Sequence, residues 1–391
     1  MIRTASIVAF VLALGAMVAP IPVSGTGPAV TVKNRLDLPR TSETVTLAAA
    51  DVQKLLATDD VRKVKVRDAS SGRELLTQAV DVNDDGKFEE LIFQVDLGPN
   101  ETKSFELAVG ERQTLKRDDF KAYGRFVRER RDDFAWENDR IAHRMYGAAL
   151  ETWAQEPLTS SAVDVWSKRV PRLIVNDWYL LDDYHKDNGT GGDFYSAGKS
   201  RGCGGSGVWV DGKLYVSANF RDSQVHANGP IRVMFDLVYP AWDAAGTRVS
   251  EVKRITLDAG QNLDRFESRY TLDGSPRAGT FAAGIKKNPG SLMVSDPLTG
   301  ILRTWEPVKG APGNLACAVV VDPAGLVAFT EADGNYLAVG NRAADKPAVY
   351  HAGFAWDQTG QVPGGADGWG RYLADFARRL RSPLEVTLSA K

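Results

Sequence analysis

The sequence predicts a mainly β protein with few helices. Short runs rich in β-branched and aromatic residues recur along the chain, and turn residues separate nearly all of them, as at 43–47 and 231–238. The link Asp211-Gly212 stands between two such runs and is typical of a tight hairpin, since both residues accept positive φ angles. Helical periodicity is limited to 49–56 and 369–380. So many strands with so few helices favour two large stacked antiparallel sheets.

We predict three segments along the chain. Residues 1–25 have the pattern of a signal peptide, because Arg3 precedes an apolar run that prolines and small residues follow. A membrane anchor is the alternative, but the run is shorter than a spanning helix. A charged stretch near residue 118 separates a small N-terminal β-sandwich, 26–118, from a large β-supersandwich, 119–391, which we expect to hold the active site. The expected location is secreted or periplasmic, with no membrane attachment after signal cleavage.

The charge balance argues against two classes of partner. The 391 residues carry 48 basic and 50 acidic side chains, a net charge of −2, so no overall positive field attracts nucleic acid or an acidic membrane surface. An anionic ligand must therefore be bound locally by a few arginines and lysines. The two cysteines, Cys203 and Cys317, leave open either one disulfide or two free thiols. The sequence does not indicate an oligomeric state.

An Asp-rich loop is the clearest indication of a metal site. Asp81, Asn83 and Asp85 place oxygen atoms at alternate positions, as in loops that wrap calcium. The twelfth position, normally Glu, is apolar here, so Glu89 or Glu90 would supply the missing carboxylate. The alternatives are a structural calcium site and a plain Asp-rich turn. We expect no cofactor to be required for catalysis.

Two other patterns carry less weight. The run 202–207 matches G-x-G-x-x-G, but a β-hairpin follows it in place of the helix that a dinucleotide site requires. The four histidines, His143, His185, His226 and His351, are far apart in sequence. A zinc site would therefore have to be assembled by the fold.

The first candidate binding segment begins at Trp136. In strand geometry Asn138, Arg140, Arg144 and Tyr146 point to one face. The two arginines offer forked donors that fit a carboxylate, and the Asn amide fits a sugar hydroxyl. The segment therefore predicts a site for a sugar acid. The alternative is a surface strand whose charges form salt bridges.

A second candidate segment, between Trp166 and Tyr195, is rich in aromatic and charged residues. Aromatic rings pack against the apolar faces of sugars, while acids, amides and bases bind the hydroxyls. Tyr184-His185 is the best general acid/base pair, because histidine titrates near neutral pH. The alternative places these aromatic rings in the core and makes His185 an ordinary loop residue. The other binding candidates of this segment are Lys168, Arg169, Asp183 and Asp193.

Several long motifs, in the same order, resemble one known family. The similarity to domain-of-unknown-function family 4861 lies in the Asp-rich loop with 90–93 and in 136–146, 164–175, 183–195, 202–207 and 369–384. The resemblance implies a β-sandwich related to galactose mutarotase and to the polysaccharide lyases, in proteins of pectin- and ulvan-degrading systems. It also implies an oligosaccharide dehydratase, which removes water from a non-reducing-end uronic acid.

That chemistry divides the candidates into two groups. Elimination of a hydroxyl β to a carboxylate needs a neutralised carboxylate, a base for the proton and an acid for the departing oxygen. The expected proton-transfer group is His185 with Tyr184 or Tyr195. The expected binding group, which neutralises the carboxylate or holds the next sugar of an acidic oligosaccharide, consists of Asn138, Arg140, Arg144, Lys168 and Arg169.

Three other activities stay open at this point. A glycoside hydrolase would use paired carboxylates, for which Glu137, Asp139, Asp183 and Asp193 are available. A mutarotase or epimerase would use the same fold, and a noncatalytic protein would bind the oligosaccharide only. A fold does not determine which chemistry takes place on it.

Overall fold

A computed structural model describes residues 27–181 and 184–390. Strands make up 49% of the chain and helical residues 14%, which confirms the mainly β prediction. The signal peptide predicted at 1–25 and the candidate Asp183 lie outside the described residues, so both stay predictions. Within the described ranges, no helix combines the length and the hydropathy that a membrane crossing requires.

The N-terminal part is a small β-sandwich with one helix. Its strands form two sheets, and side chains that alternate inward along each strand, such as Val45, Phe93 and Phe105, fill the space between them. The elements are β1 (Ala29–Lys33), β2 (Arg40–Ala48), α1 (Ala49–Leu56), β3 (Val64–Asp68), β4 (Thr77–Val80), β5 (Glu90–Leu97) and β6 (Thr102–Val109). One sheet has the order β1-β6-β3 and the other β2-β5-β4.

The next part of the chain forms a five-stranded sheet with the order β11-β10-β9-β8-β7, once its elements are numbered along the chain. These elements are β7 (Ala122–Val127), β8 (Asp133–Asn138), β9 (Ala142–Met145), β10 (Asp164–Lys168), α2 (Val175–Leu181) and β11 (Gly191–Gly192). The helix α2 covers one face of this sheet through Trp178 and Tyr179, which pack on Trp166.

A second five-stranded sheet and an eight-stranded sheet complete the fold. Their strands are β12 (Cys203–Val210), β13 (Lys213–Tyr215), β14 (Asp222–Asn228), β15 (Arg232–Ala244), β16 (Thr247–Asp258), β17 (Leu263–Leu272), β18 (Gly279–Lys286), β19 (Leu292–Asp296), β20 (Ile301–Pro307), β21 (Asn314–Val321), β22 (Leu326–Ala332), β23 (Asn335–Arg342) and β24 (Ala348–Trp356). The orders are β13-β12-β18-β23-β22 and β14-β15-β16-β17-β24-β21-β20-β19.

The eight-stranded sheet stacks on both five-stranded sheets. Its inner face contributes Phe235 and Phe266 to one large hydrophobic core, which Trp136 and Phe281 enter from the two smaller sheets. Phe134 and Phe235 stack with their ring centroids 4.0 Å apart, so the first smaller sheet is in direct contact with the large one. The prediction of large stacked antiparallel sheets is confirmed.

The hairpin predicted at Asp211-Gly212 joins β12 to β13. Val210 pairs with Lys213, and the two linking residues have φ angles of 48° and 77°, as a tight turn of this hand requires. The run 202–207 therefore enters a strand and not a helix, as predicted.

The C-terminal helix and the last strand lie on different parts of the molecule. Helix α3 (Gly365–Arg381) packs Trp369 and Leu373 on the outer face of the eight-stranded sheet. The final strand, β25 (Glu385–Ser389), then pairs with β1, so the end of the chain completes the N-terminal sandwich. The boundary near residue 118 itself stays a prediction.

One local prediction is wrong, namely that 138–146 forms a continuous strand. Residues 139–141 form a turn between β8 and β9, because the Asn138 side chain accepts the backbone N–H groups of Arg140 and Ile141. The turn changes the alternation of side chains, so Asn138 lies on the core face with Trp136 whereas Arg144 lies on the face under α2.

Candidate active site

Three neighbouring strands bring charged side chains together at one end of the first five-stranded sheet. Arg144 on β9 lies directly opposite Asp164 on β10 and Ala135 on β8. Residues opposite each other in antiparallel strands share a face, and Asp133 shares it by being two residues from Ala135. The register therefore places one arginine between two aspartates.

Arg144 is almost completely enclosed by acceptors. Its Nε donates to Asp164 Oδ2 at 2.9 Å, and one Nη donates to Asp193 Oδ2 at 3.1 Å. The other Nη donates to the Tyr184 hydroxyl at 3.2 Å and lies 3.7 Å from Asp133 Oδ2. A single guanidinium thus holds three carboxyl groups, which we call the arginine cluster (Asp133, Arg144, Asp164 and Asp193).

The arginine cluster borders a cleft of about 920 Å³. Four other clefts in the described part of the chain measure about 300 to 420 Å³, so this one has the room that an oligosaccharide end requires. One wall comes from Arg144, Asp164 and the segment 193–198, and the other from the ends of β18 and β20. Lys286 links the walls by donating to the Ser196 carbonyl.

Burial changes the acidity of the carboxyl groups around Arg144. Burial raises the pKa of Asp193 well above its ordinary value, with a further rise from the charge of Asp164 and an opposing effect of Arg144. Burial likewise raises the pKa of Asp133 to about 7, against the charges of Arg144 and Arg130. Near pH 7, Asp133 therefore holds a proton about half of the time, and Asp193 keeps its proton to a higher pH than an ordinary carboxyl does.

Tyr146 keeps its proton at the floor of the cleft. Its hydroxyl donates to Asp164 Oδ2 at 3.1 Å, and burial followed by the charge of Asp164 raises its pKa well above the ordinary value. The ring also lies beneath the guanidinium of Arg144, with 5.3 Å from Cζ to the ring centroid. Tyr146 therefore stabilises both charges of the pair.

His185 stands at the mouth of the cleft, with 62% of its side chain exposed. Its Nδ1 lies 3.4 Å from the Asp193 carbonyl oxygen and 3.7 Å from Asp193 Oδ2. In the part of the chain that the structure describes, the ring makes these contacts through Nδ1 only. This arrangement leaves Nε2 for a ligand while Asp193 orients the ring.

The neighbouring tyrosines differ in their access to a ligand. The Tyr184 hydroxyl accepts from Arg130 Nε at 2.8 Å as well as from Arg144, so two cations face one phenol oxygen. Tyr195 lines the cleft with its ring, but its hydroxyl donates to the Gly202 carbonyl at 2.9 Å in the core. Of the two tyrosines predicted to transfer protons, only Tyr184 is thus placed among the charges of the cluster.

Several predicted binding residues lie at the other end of the same sheet. Lys168 Nζ is buried 2.7 Å from Glu137 Oε2 and 2.5 Å from the Asn138 carbonyl oxygen. Glu137 also accepts the N–H groups of Ile174 and Val175, which begin α2. These residues hold the helix on the sheet.

The remaining arginine and tryptophan candidates also contact protein. Arg140 donates to Asn262 and to the Gln361 carbonyl, at 2.6 and 3.0 Å. Arg169 pairs with Asp187 and lies over the Trp356 ring. Trp136 and Trp166 are fully buried, and Trp136 donates to Asp264 at 2.7 Å. None of these four lines the cleft within the described residues.

Sequence reasoning missed three acids of the site. Asp133 and Asp164 begin strands and are buried, and Glu306 lines the second wall of the cleft. For Asp133 and Asp164 the sequence did offer a signal, because a charged side chain at the start of an apolar strand must be either exposed to water or paired with a cation. No local feature of the sequence marked Glu306.

The four histidines and the two cysteines form no joint site. His143 pairs with Asp264 in the core, His226 with Asp236 at the sheet edge, and His351 packs on Phe376. Among residues 27–181 and 184–390, no group of metal-binding side chains contains a histidine. Cys203 and Cys317 are buried as free thiols.

The Asp-rich loop has the donors that calcium prefers. Carboxylate oxygens of Asp81, Asp85 and Glu89 lie within 4.8 Å of one another, and Asn83 donates to Glu89 at 3.4 Å. Glu90 instead pairs with Arg232, so Glu89 is the acid that the loop offers. The donor set fits calcium, but hydrogen bonds from the loop backbone to Asp81 also suit a plain turn, and the calcium site stays a prediction.

Comparisons with known proteins agree with this architecture. The family described as a domain of unknown function, DUF4861, matches residues 32–386. The Formosa agariphila protein called uncharacterized protein P7 is 35% identical over 374 residues, which cover 92% of this chain and 93% of that protein. The crystal structure of an α-mannosidase from Enterococcus faecalis aligns with a TM-score of 0.52 at 9% identity over 93% of this chain. This chain spans 46% of that mannosidase, and similarity at such identity concerns the fold alone.

Proposed function

This chain belongs to the DUF4861 family, and we propose that it is a carbohydrate-active enzyme that eliminates water from the non-reducing-end uronate of an acidic oligosaccharide. The product would be an unsaturated uronate. The fold similarity to an α-mannosidase supports the carbohydrate part of the proposal. A secreted or periplasmic location, which the predicted signal peptide implies, would give the enzyme access to fragments of pectin or ulvan.

The observation that carries the proposal is the contact between His185 and Asp193 at the mouth of the cleft. The imidazole is exposed, and Asp193 holds it through Nδ1. Behind it, Arg144 contacts the same Asp193 carboxyl. A base open to a ligand is thus connected through one acid to a buried cation, which is the combination that proton removal next to a carboxylate requires.

The charge of the arginine cluster supports an anionic ligand. Arg144 and Arg130 bring two positive charges to the cluster, Glu156 pairs with Arg130, and burial disfavours the charged forms of Asp193 and Asp133. Lys286 and the exposed Lys309 add positive charge at the second wall. A uronate carboxylate in the cleft would therefore lie close to several cations, although Arg144 itself already contacts carboxyl groups.

In the proposed reaction, the neutralised carboxylate makes the adjacent carbon acidic. His185 Nε2 takes the proton of that carbon, and the electron pair forms the double bond as the neighbouring hydroxyl departs. Tyr184 is buried behind the cleft, where its hydroxyl accepts from Arg130 and Arg144 and would hold both cations in position. The reaction needs no redox partner, and no cofactor is part of the proposal.

The proposal is tested by incubating the purified protein with uronic-acid oligosaccharides from pectin and from ulvan. We expect rising ultraviolet absorbance from the conjugated double bond, together with the loss of one water in the product mass and no chain cleavage. Absorbance with chain cleavage would indicate a polysaccharide lyase. No absorbance change across the panel would contradict elimination.

The variant H185A tests the proposed base. We expect kcat to fall about 100-fold or more, since a positioned general base contributes about 10²- to 10⁴-fold. The matched control is H226Q, which removes a histidine that pairs with Asp236 outside the cleft. Circular dichroism and thermal unfolding would establish that both variants fold. Unchanged turnover in H185A would remove His185 from the mechanism.

Glycoside hydrolysis is the second candidate, because the cleft holds two carboxyl groups with a raised pKa. Burial raises the pKa of Asp193 and of Glu306, and an acid with a raised pKa suits protonation of the glycosidic oxygen. Hydrolysis would produce new reducing ends and no ultraviolet absorbance, so the same incubation separates the two activities.

A further inference from the structure

Glu306 is a buried acid in the wall of the cleft formed by the ends of β18 and β20. It lies opposite Leu315 of the neighbouring strand and is 5% exposed. The elimination proposed above gives it no role, although it is one of the two acids of the hydrolysis candidate. It belongs to a part of the chain far in sequence from His185 and Asp193.

The two oxygens of Glu306 have different surroundings. Oε1 accepts from Asn288 Nδ2 at 2.8 Å. Oε2 is enclosed, and in the described part of the chain neither Oε2 nor the nearby Ser291 hydroxyl has a hydrogen bond of normal geometry. A buried carboxylate oxygen without a partner is costly, whereas a protonated oxygen that donates to a ligand is satisfied. The contact with Asn288 therefore orients the carboxyl at the wall of the cleft and leaves Oε2 without a competing hydrogen bond in the described part of the chain.

Burial favours the protonated form of Glu306. It raises the pKa of this carboxyl, with Asn288, Ser291 and the charge of Lys286 opposing the effect. Burial, with a smaller effect of the charge of Glu306, also raises the pKa values of Tyr195 and Cys317 well above their ordinary range, so both stay neutral. Lys286 is thus the charged group that faces it within the described chain, and it is held by the Ser196 carbonyl.

We propose that Glu306 is the catalytic acid that protonates the departing hydroxyl in the cleft. This inference rests on the proposed function. When the bond between the carbon and the hydroxyl oxygen breaks, Glu306 Oε2 gives its proton to that oxygen and water leaves. Glu306 becomes a carboxylate while His185 holds the proton taken from carbon, and solvent returns that proton to Glu306. The reaction therefore consumes no other reactant.

The test compares two substrates that differ in the departing group. One is a uronic-acid oligosaccharide, and the other is its analogue with fluorine in place of the departing hydroxyl. Fluoride leaves without a proton, so its loss does not need the acid. We expect E306Q to eliminate water about 100-fold or more slowly than the wild type, but to release fluoride within about threefold of the wild-type rate.

Two further variants keep this result interpretable. E306D keeps a carboxyl group on a shorter side chain. Its rate on the hydroxyl substrate should therefore lie between the rates of wild type and E306Q, with fluoride release unchanged. E331Q is the matched control, because Glu331 is exposed and pairs with Lys287 outside the cleft. It should act like the wild type on both substrates.

The outcomes separate this inference from the proposed function. If the wild type eliminates neither water nor fluoride, the proposed function fails and the role of Glu306 fails with it. If the wild type is active but E306Q is slowed equally on the two substrates, or is slowed on neither of them, Glu306 is not the acid. The proposed elimination still stands in that case. Only a loss confined to the hydroxyl substrate supports the assignment.

Discussion

At both ends of the sheet formed by β8, β9 and β10, charged side chains are buried on the same face. The ends differ in how many acids share one cation. At the end far from the cleft, which we call the inner end, Glu137 and Lys168 form a pair whose hydrogen bonds go to each other and to backbone groups. At the cleft end, Arg144 faces three carboxyl groups at once. Ala142, packed with Trp166, separates the two ends.

The difference shows how the same residue types stabilise the fold in one place and serve chemistry in another. At the end far from the cleft, a buried ion pair with all its partners present holds α2 on the sheet. Three acids around one cation repel one another when they are charged, and burial raises the pKa of two of them, Asp133 and Asp193. Competition among the acids, together with access to the cleft, distinguishes the candidate active site.

The largest effect is expected from K168M at the inner end. It leaves the Glu137 carboxylate buried without its cation, so the free energy of unfolding should fall by about 3–5 kcal/mol. The double variant E137Q/K168M should lose less, because no unpaired charge remains. Urea unfolding followed by tryptophan fluorescence measures both. A loss below about 1 kcal/mol in K168M would show that this pair does not hold the sheet and α2 together.

The next effect is a pH dependence that comes from Asp133. Its folded-state pKa of about 7 lies above the ordinary 3.8, so the folded protein binds this proton more tightly than the unfolded chain does. The resulting stability is complete below about pH 4 and is lost as the pH rises to about 7. The D133N variant has no carboxyl at this position. Its free energy of unfolding, relative to that of the wild type, should therefore rise by up to about 4 kcal/mol between pH 4 and pH 8. Parallel stability curves for the two proteins would contradict the shifted pKa.

A third comparison uses R144M at the cleft end. We expect kcat/KM for uronate elimination to fall about 100-fold, near 2.7 kcal/mol, because the carboxylate loses its cation. At pH 6 the stability cost should be smaller than that of K168M, because the three acids can take up protons once the arginine is gone. The cost should grow at pH 8. Equal costs for the two variants at both pH values would mean that the ends do not differ.

The smallest effect is expected from R140A. Arg140 contacts Asn262 and Gln361 and not the cleft. Stability should fall by about 1 kcal/mol, the typical contribution of a lost hydrogen bond, with kcat/KM within about threefold of wild type. Initial rates on the same oligosaccharides test this, and a tenfold loss would restore Arg140 as a binding residue.

The sequence predicted the strands, the hairpin at Asp211-Gly212 and the helices near 49–56 and 369–380 because each depends on local alternation, turn chemistry or periodicity. It also predicted the region of the cleft, since Arg144, Tyr184, His185 and Asp193 lie together there. It did not separate these residues from Asn138, Arg140 and Lys168, which have the same chemistry and lie close in sequence. A single turn at 139–141 reverses the side-chain alternation, and that turn depends on one Asn side chain.

By itself, the sequence determined the β-rich class, the family resemblance and the presence of acid, base and arginine side chains in one stretch, because these are properties of short segments. Only the tertiary structure decided which charged side chains contact one another. Sheet register and packing produce three arrangements that no short segment contains. They pair Glu137 with Lys168, and they bring Glu306 from a distant strand to the cleft. They also place three carboxyl groups around Arg144, those of Asp133, Asp164 and Asp193. The electrostatic energy of a buried charge depends on its neighbours in space, and a sequence does not list those neighbours.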